Sequence, residues 1–116
     1  MLDLKHKKLD VWRVGMEFVK EIYVIIEGFP VNEKYGLVSQ LRRASVSIPS
    51  NISEGASRIS KIERKRFFEI ARSSLVEADT QIELSIQLGL IGRTECEKLS
   101  EQANKTFAML SNMIKK

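Results

Sequence analysis

Between Leu9 and Phe29 the apolar positions recur at spacings of three and four. They trace two tracks at once: Leu9, Trp12, Met16, Val19, Tyr23 and Ile26 on one, Val11, Gly15, Phe18, Ile22, Ile25 and Phe29 on the other. That period predicts an α-helix with two adjacent apolar stripes. A helix inside a small bundle usually needs one stripe. The second serves either a subunit interface, formed by Val11, Gly15, Phe18, Ile22 and Ile25, or a helix central to its own core. Gly28-Phe29-Pro30 predicts the stop, because glycine suits a C-terminal cap and proline shortly afterwards cannot continue a helix.

A second helix is expected after Asn32, an acceptable N-cap, with Leu37, Leu41, Ala44 and Ile48 on its apolar face. Pro49 interrupts it. A proline there deletes one backbone hydrogen bond and clashes with the Ser45 carbonyl, costing about 3 kcal/mol unless the helix kinks or restarts. The hydroxyls of Ser45, Ser47, Ser50 and Ser53 are placed to satisfy the freed groups, and Asn51 to tie off backbone near the proline. Ala44 and Ala56 keep the segment thin enough for a neighbouring helix to approach closely.

Ser60-Lys61-Ile62-Glu63 has the form of a capping box and opens a long third helix. Its face is expected along Phe67, Ile70, Ser74, Ala78, Ile82 and Ser85, widened by Phe68, Leu75, Ile86 and Leu90, with Gly89 and Gly92 as the stop. Thr94-Glu95-Cys96-Glu97 reads as a second capping box, before a fourth helix whose face runs Cys96, Leu99, Ala103, Phe107, Leu110, Ile114. No window alternates as a strand does. The prediction is an all-α, antiparallel up-down-up-down four-helix bundle with its second helix kinked at Pro49. Residues 1–116 form a single domain, with 1–8 as a flexible basic N-terminus.

Composition narrows the chemistry. The chain has 116 residues, 43% hydrophobic and 29% charged, far from the disordered and low-complexity extremes. One cysteine, Cys96, excludes an internal disulfide, and without a second cysteine or a histidine cluster no structural zinc site is expected. The polar start lacks the apolar core of a signal peptide, and apolar runs are broken by charge before a membrane-spanning length. The expectation is a cytoplasmic protein with no membrane contact. The only histidine, His6, lies in the tail, which removes a Ser-His pair and the Glu-x-x-His pairs of di-iron bundles. The i, i+4 carboxylates Glu17 with Glu21 and Asp79 with Glu83 read as solvated stripes, and Cys96 as buried and inert. No catalytic residue, metal or cofactor is expected.

Charge by position says more than the total. Between residues 58 and 72 six cations, Arg58, Lys61, Arg64, Lys65, Arg66 and Arg72, meet only Glu63 and Glu69, an excess that equals the net +4 of the whole chain. Lys61, Arg64, Lys65 and Arg72 fall at helical spacings of three, four and seven, so their heads are expected to project together. Such a patch either grips phosphates without reading bases or is an ordinary solvated face. Arg42 and Arg43 before the proline either pair with Glu54 or another carboxylate, or reach nucleic acid or a protein partner.

The segment from Gln40 to Gly55, Gln-Leu-Arg-Arg-Ala-Ser-Val-Ser-Ile-Pro-Ser-Asn-Ile-Ser-Glu-Gly, resembles the signature of the four-helix-bundle proteins encoded in intervening sequences of bacterial large-subunit ribosomal RNA genes. Leu9-Asp10-Val11-Trp12, Phe29-Pro30 with Glu33 and Tyr35-Gly36-Leu37, and the run Arg66 to Glu77 are similar to that family in type and order. A relative of the family is the accessory variability determinant of diversity-generating retroelements, a basic homopentameric bundle that binds nucleic acid and a reverse transcriptase. The resemblance therefore implies a homo-oligomer, with a pentamer as the leading ring size.

Two functions follow as expectations. The first is a non-enzymatic protein that binds nucleic acid nonspecifically, structured RNA or an RNA-DNA hybrid foremost, through Arg42, Arg43, Arg58, Lys61, Arg64, Lys65, Arg66 and Arg72. The second is an adaptor that docks another macromolecule, such as a polymerase, on the ring.

Overall fold

The computed structural model describes Met1–Lys116. Four helices run in chain order: α1 Asp10–Ile26, α2 Leu37–Ala56, α3 Lys61–Gln87 and α4 Glu97–Lys115. Short 3-10 turns at Lys5–Lys8, Val31–Glu33 and Arg93–Cys96 precede α1, α2 and α4. Each helix packs on its sequence neighbours and α1 closes against α4, which is the up-down-up-down arrangement short loops enforce. The body measures 44 × 28 × 20 Å.

The core settles the ambiguity of α1. Val11, Gly15, Phe18 and Ile22 are buried within the chain itself, and Ile25 packs half-buried against the same core. The subunit interface expected at Val11, Gly15, Phe18, Ile22 and Ile25 is therefore corrected: this stripe is the chain's own core, wedged between α2 and α4. The other stripe is the freer one, with Leu9, Met16 and Tyr23 exposed and Trp12 and Val19 half-buried.

In α2, Leu37, Leu41, Ala44 and Ile48 are buried as the spacing predicts, joined by Ser45 and Ile52, but the helix starts at Leu37, later than the Asn32 signal. Residues 31–33 form the 3-10 turn instead, and the Glu33 carboxylate accepts the Leu37 amide at 3.3 Å, a capping role played from four residues back. Pro49 lies inside one continuous helix. The neighbouring hydroxyls serve other carbonyls than that of Ser45: Ser45 Oγ donates to Arg42 O at 3.2 Å and Ser53 Oγ to Ser50 O at 2.9 Å. Asn51 Nδ2 donates to Ser47 O at 2.7 Å, as expected of it, and Ser47 Oγ meets Ser74 Oγ of α3 at 2.9 Å.

The approach of α2 to α3 is closest at Gly55. A Cβ there would lie 2.8 Å from Phe68 Cε1 and 2.9 Å from Phe67 Cβ, so only glycine lets these backbones meet.

The α3 core face keeps the expected Phe68, Leu75, Ala78 and Ser85, adds Ala71 and Gln81, and leaves out Ile70. Ile70 is exposed and Phe67 half-buried. Ser60 Oγ accepts the Glu63 amide at 3.3 Å, the first half of the expected capping box. The stop is at Gly89, whose φ of 74° is a conformation side chains rarely adopt; Leu90 N reaches Ser85 O at 2.9 Å and Gly89 N reaches Ile86 O at 3.0 Å, a Schellman closure. The second box is displaced by two residues: Glu95 accepts the Gly92 amide at 3.0 Å, and Thr94 lies within the turn. In α4, Leu99, Thr106 and Leu110 are buried and Phe107 is exposed.

Candidate nucleic-acid interface

The expected cations do not form one patch. The antiparallel pairing of α2 and α3 places Ser47 beside Ser74 and Gln40 beside Gln81, while Gly55 meets Phe67 and Phe68. Arg42 and Arg43 thus lie in the half of the bundle away from the α3 start, where Arg58, Lys61, Arg64, Lys65 and Arg66 gather.

Within the second group the side chains have different tasks. Arg58 is the one candidate cation held by carboxylates, 3.2 Å from Glu54 and 4.0 Å from Glu63, and its guanidinium lies 4.8 Å from the centre of the Phe67 ring. Glu54 is therefore the partner of Arg58, which corrects the expected pairing with Arg42 or Arg43. Arg64 Nη1 donates back to the carbonyls of Arg58 and Ile59 at 3.1 and 3.3 Å, bracing the entry to α3. Arg72 turns toward α4, donating to Ser111 Oγ at 3.1 Å beside the Phe107 ring. Lys61 is fully free, and Arg66 shares a shallow cleft with Glu69 and Glu77. The joint outward projection of Lys61, Arg64, Lys65 and Arg72 gives way to this division, because Arg64 is drawn to carbonyls and Arg72 to a neighbouring helix.

The N-terminal basic head is no loose arm. Residues 5–8 form a 3-10 turn against α1 and α2, with His6 edge-on to Trp12 at 5.3 Å and Arg13 Nε donating to Lys7 O at 3.3 Å.

Elsewhere the carboxylates act as local counterions: Glu17 meets Lys20 at 3.5 Å, Glu21 meets Lys98 at 3.5 Å, and Glu83 takes Arg93 in two contacts of 3.0 and 3.4 Å. The hydrogen bonds and charge of Arg93 hold the Glu83 carboxyl below its ordinary value. Burial, reinforced by the charge of Glu95, pushes the Cys96 thiol up against the smaller opposing pull of Arg93.

One cluster escaped the sequence reading. Tyr23 of α1, Lys34 and Tyr35 of the connection, and Ser39, Arg42, Arg43 and Val46 of α2 line a shallow cleft of about 400 Å³. In the sequence pattern Tyr23 is part of an apolar stripe, and Tyr35 falls within the helix expected after Asn32 rather than in the connection where the structure places it. The signal available was Lys34-Tyr35-Gly36, a cation and an aromatic side by side in a connection.

The fold and surface define a basic four-helix-bundle protein in which most candidate cations lack a carboxylate partner. The chain belongs to the 23S rRNA-intervening sequence protein family, whose model matches residues 7–112. Among solved structures it is similar to a protein of unknown function from the S23 ribosomal protein family of Bacteroides thetaiotaomicron, at 25% identity and a TM-score of 0.79, covering 91% of this chain and 99% of that one. No curated protein matches. No helix is long and apolar enough to cross a membrane.

Proposed function

We propose that this protein is a non-enzymatic homo-oligomer, pentameric by its resemblance, that holds nucleic acid nonspecifically through its basic surface. The observation that carries the reading is the pairing pattern: of Arg42, Arg43, Arg58, Lys61, Arg64, Lys65, Arg66 and Arg72, only Arg58 has a carboxylate within ion-pair distance. Uncompensated cations on a folded surface keep their attraction for phosphates, and the counterions a phosphate backbone releases on binding supply the free energy. The structural relative's assignment to a ribosomal protein family makes structured RNA the first ligand class to test. In a ring the contacts repeat and add as avidity. A cytoplasmic setting suits an RNA ligand and a free thiol.

The test is a titration against structured RNA and duplex DNA at several salt concentrations, with oligomer mass followed by light scattering. Binding should fall steeply with salt. Changing Lys61, Arg64, Lys65 and Arg66 together to Gln should flatten the slope of log affinity against log salt by about one unit for each phosphate no longer engaged. Unchanged affinity with an intact oligomer overturns the reading.

A second reading, an adaptor for a protein such as a reverse transcriptase, is favoured by a groove of about 470 Å³ between α3 and α4, where Val76, Ile82, Ile86 and Phe107 lie beside Asp79 and Glu97. A co-purifying protein that persists in high salt would select it.

A further inference from the structure

We propose that the cleft between the second half of α1, the α1–α2 connection and the first half of α2 binds unpaired nucleotides of single-stranded nucleic acid, with Tyr35 and Tyr23 stacking on bases and Lys34, Arg42 and Arg43 meeting phosphates. The inference rests on the nucleic-acid reading above and specifies the form of ligand.

The charge of the cleft is one-sided. Its lining holds three cations and no carboxylate, and none of the three forms an ion pair within the chain. Glu33, next to Lys34 in the connection, is not part of the lining, and its carboxylate accepts the Leu37 amide at 3.3 Å. Two of the cations lie over aromatic rings instead, the Lys34 ammonium 5.5 Å from the centre of Tyr35 and the Arg42 guanidinium 5.5 Å from the centre of Tyr23. A ring attracts a cation without neutralising it, so each head is positioned and still free for an anion.

The aromatics carry the second half of the argument. Tyr35 is 88% exposed and Tyr23 41% exposed, so much of their ring surface serves no packing in the fold. Tyr35 also stands on a held backbone: the 3-10 turn at 31–33 precedes it, Gly36 N donates to Glu33 O at 3.0 Å, and Leu37 opens α2 immediately after. A ring presented this way loses little freedom on meeting a partner.

Cations beside exposed aromatic faces match a single strand, whose bases offer flat faces and whose phosphates follow at each step. A duplex hides those faces within its own stack. An acidic peptide would satisfy the cations and leave the tyrosines unused. A cleft of about 400 Å³ lies within the usual size range of small-ligand sites, of order 300–1,000 Å³, and suits one nucleotide with its neighbours running over the rim.

The test measures anisotropy of a labelled oligothymidylate and of a duplex of equal length, using the full chain and its variants Tyr35→Leu, Tyr35→Phe and Arg43→Gln. Tyr35→Leu should weaken the oligothymidylate about tenfold, Tyr35→Phe by no more than about twofold, and neither should change duplex affinity, because stacking needs the ring and not the hydroxyl. Arg43→Gln should weaken the single strand and reduce its salt dependence. Duplex binding that persists while Tyr35→Leu leaves oligothymidylate unaffected overturns the cleft and spares the broader reading. Absence of binding to both nucleic acids at low salt overturns both. Polyglutamate that displaces oligothymidylate as well as unlabelled oligothymidylate does would make the cleft a site for acidic protein, against the proposal.

Discussion

Gly15 and Gly55 both sit in helices and both are buried, yet they carry opposite predictions. At Gly15 an added Cβ would meet Ile48, Ile52 and Pro49 at 3.6 to 4.0 Å, ordinary contact distances. Gly15→Ala should therefore be neutral or stabilising by up to about 1 kcal/mol, the helix-propensity difference. Gly55→Ala pushes a methyl into Phe67 and Phe68 and should cost about 1–3 kcal/mol. Urea unfolding midpoints of the two variants decide this. Cys96, buried with a raised pKa, should resist alkylation in the folded protein and react once it is unfolded, as mass spectrometry over time would show. Its burial was legible because position 96 falls on an apolar register. The fate of Pro49 was less legible: hydrogen-bonding residues cluster around it in the sequence, but which carbonyl each reaches depends on rotamers that spacing does not encode.

At the scale of the element, helix existence and order followed from periodicity and stop signals, while faces and ends moved. The α3 face was placed slightly off because large residues dominate a pattern, and the inward positions it missed are the small Ala71 and the polar Gln81. The boundaries of α2 and α4 shifted because 3-10 turns used the cap signals first. One such turn is tied down by Arg93, which grips Glu83 across the α3–α4 corner. The folded Glu83 carboxyl titrates below its ordinary value, so its contribution is present above the unfolded carboxylate pKa and is lost as pH falls through the folded one. Glu83→Gln should lower the thermal midpoint near neutral pH, with the difference from the parent protein vanishing in acid. A constant difference across the pH series would remove the ion pair as its cause.

For the whole molecule, the bundle was legible from four amphipathic segments and short connections; the partition of α1 between inside and outside was not. Two stripes of equal quality differ only in what surrounds them, and α1 turns its Gly15 and Phe18 stripe inward because α2 offers Ile48 and Ile52 opposite the glycine. The same limit applies to the basic surface, since spacing along one helix cannot show that Arg72 will reach α4 or that Lys34 and Arg42 share a cleft. If the proposed homo-oligomer forms, the outer stripe of Leu9, Trp12, Met16 and Val19 is the α1 face left open for it. Met16→Lys should reduce the mass seen by light scattering while helical content is retained. Phe18→Ala should instead destabilise the subunit itself, by about 3–5 kcal/mol. If Met16→Lys leaves the assembly intact, the outer stripe is not the contact.

The turn at Lys5–Lys8 gives the protein a built-in optical gauge. Trp12 is the only tryptophan, half-buried, and the His6 ring stands against its edge. Intrinsic emission therefore reports one corner of the bundle, and a ligand or denaturant that lifts the turn from α1 will hydrate the indole and redden its fluorescence before the circular dichroism of the four helices changes.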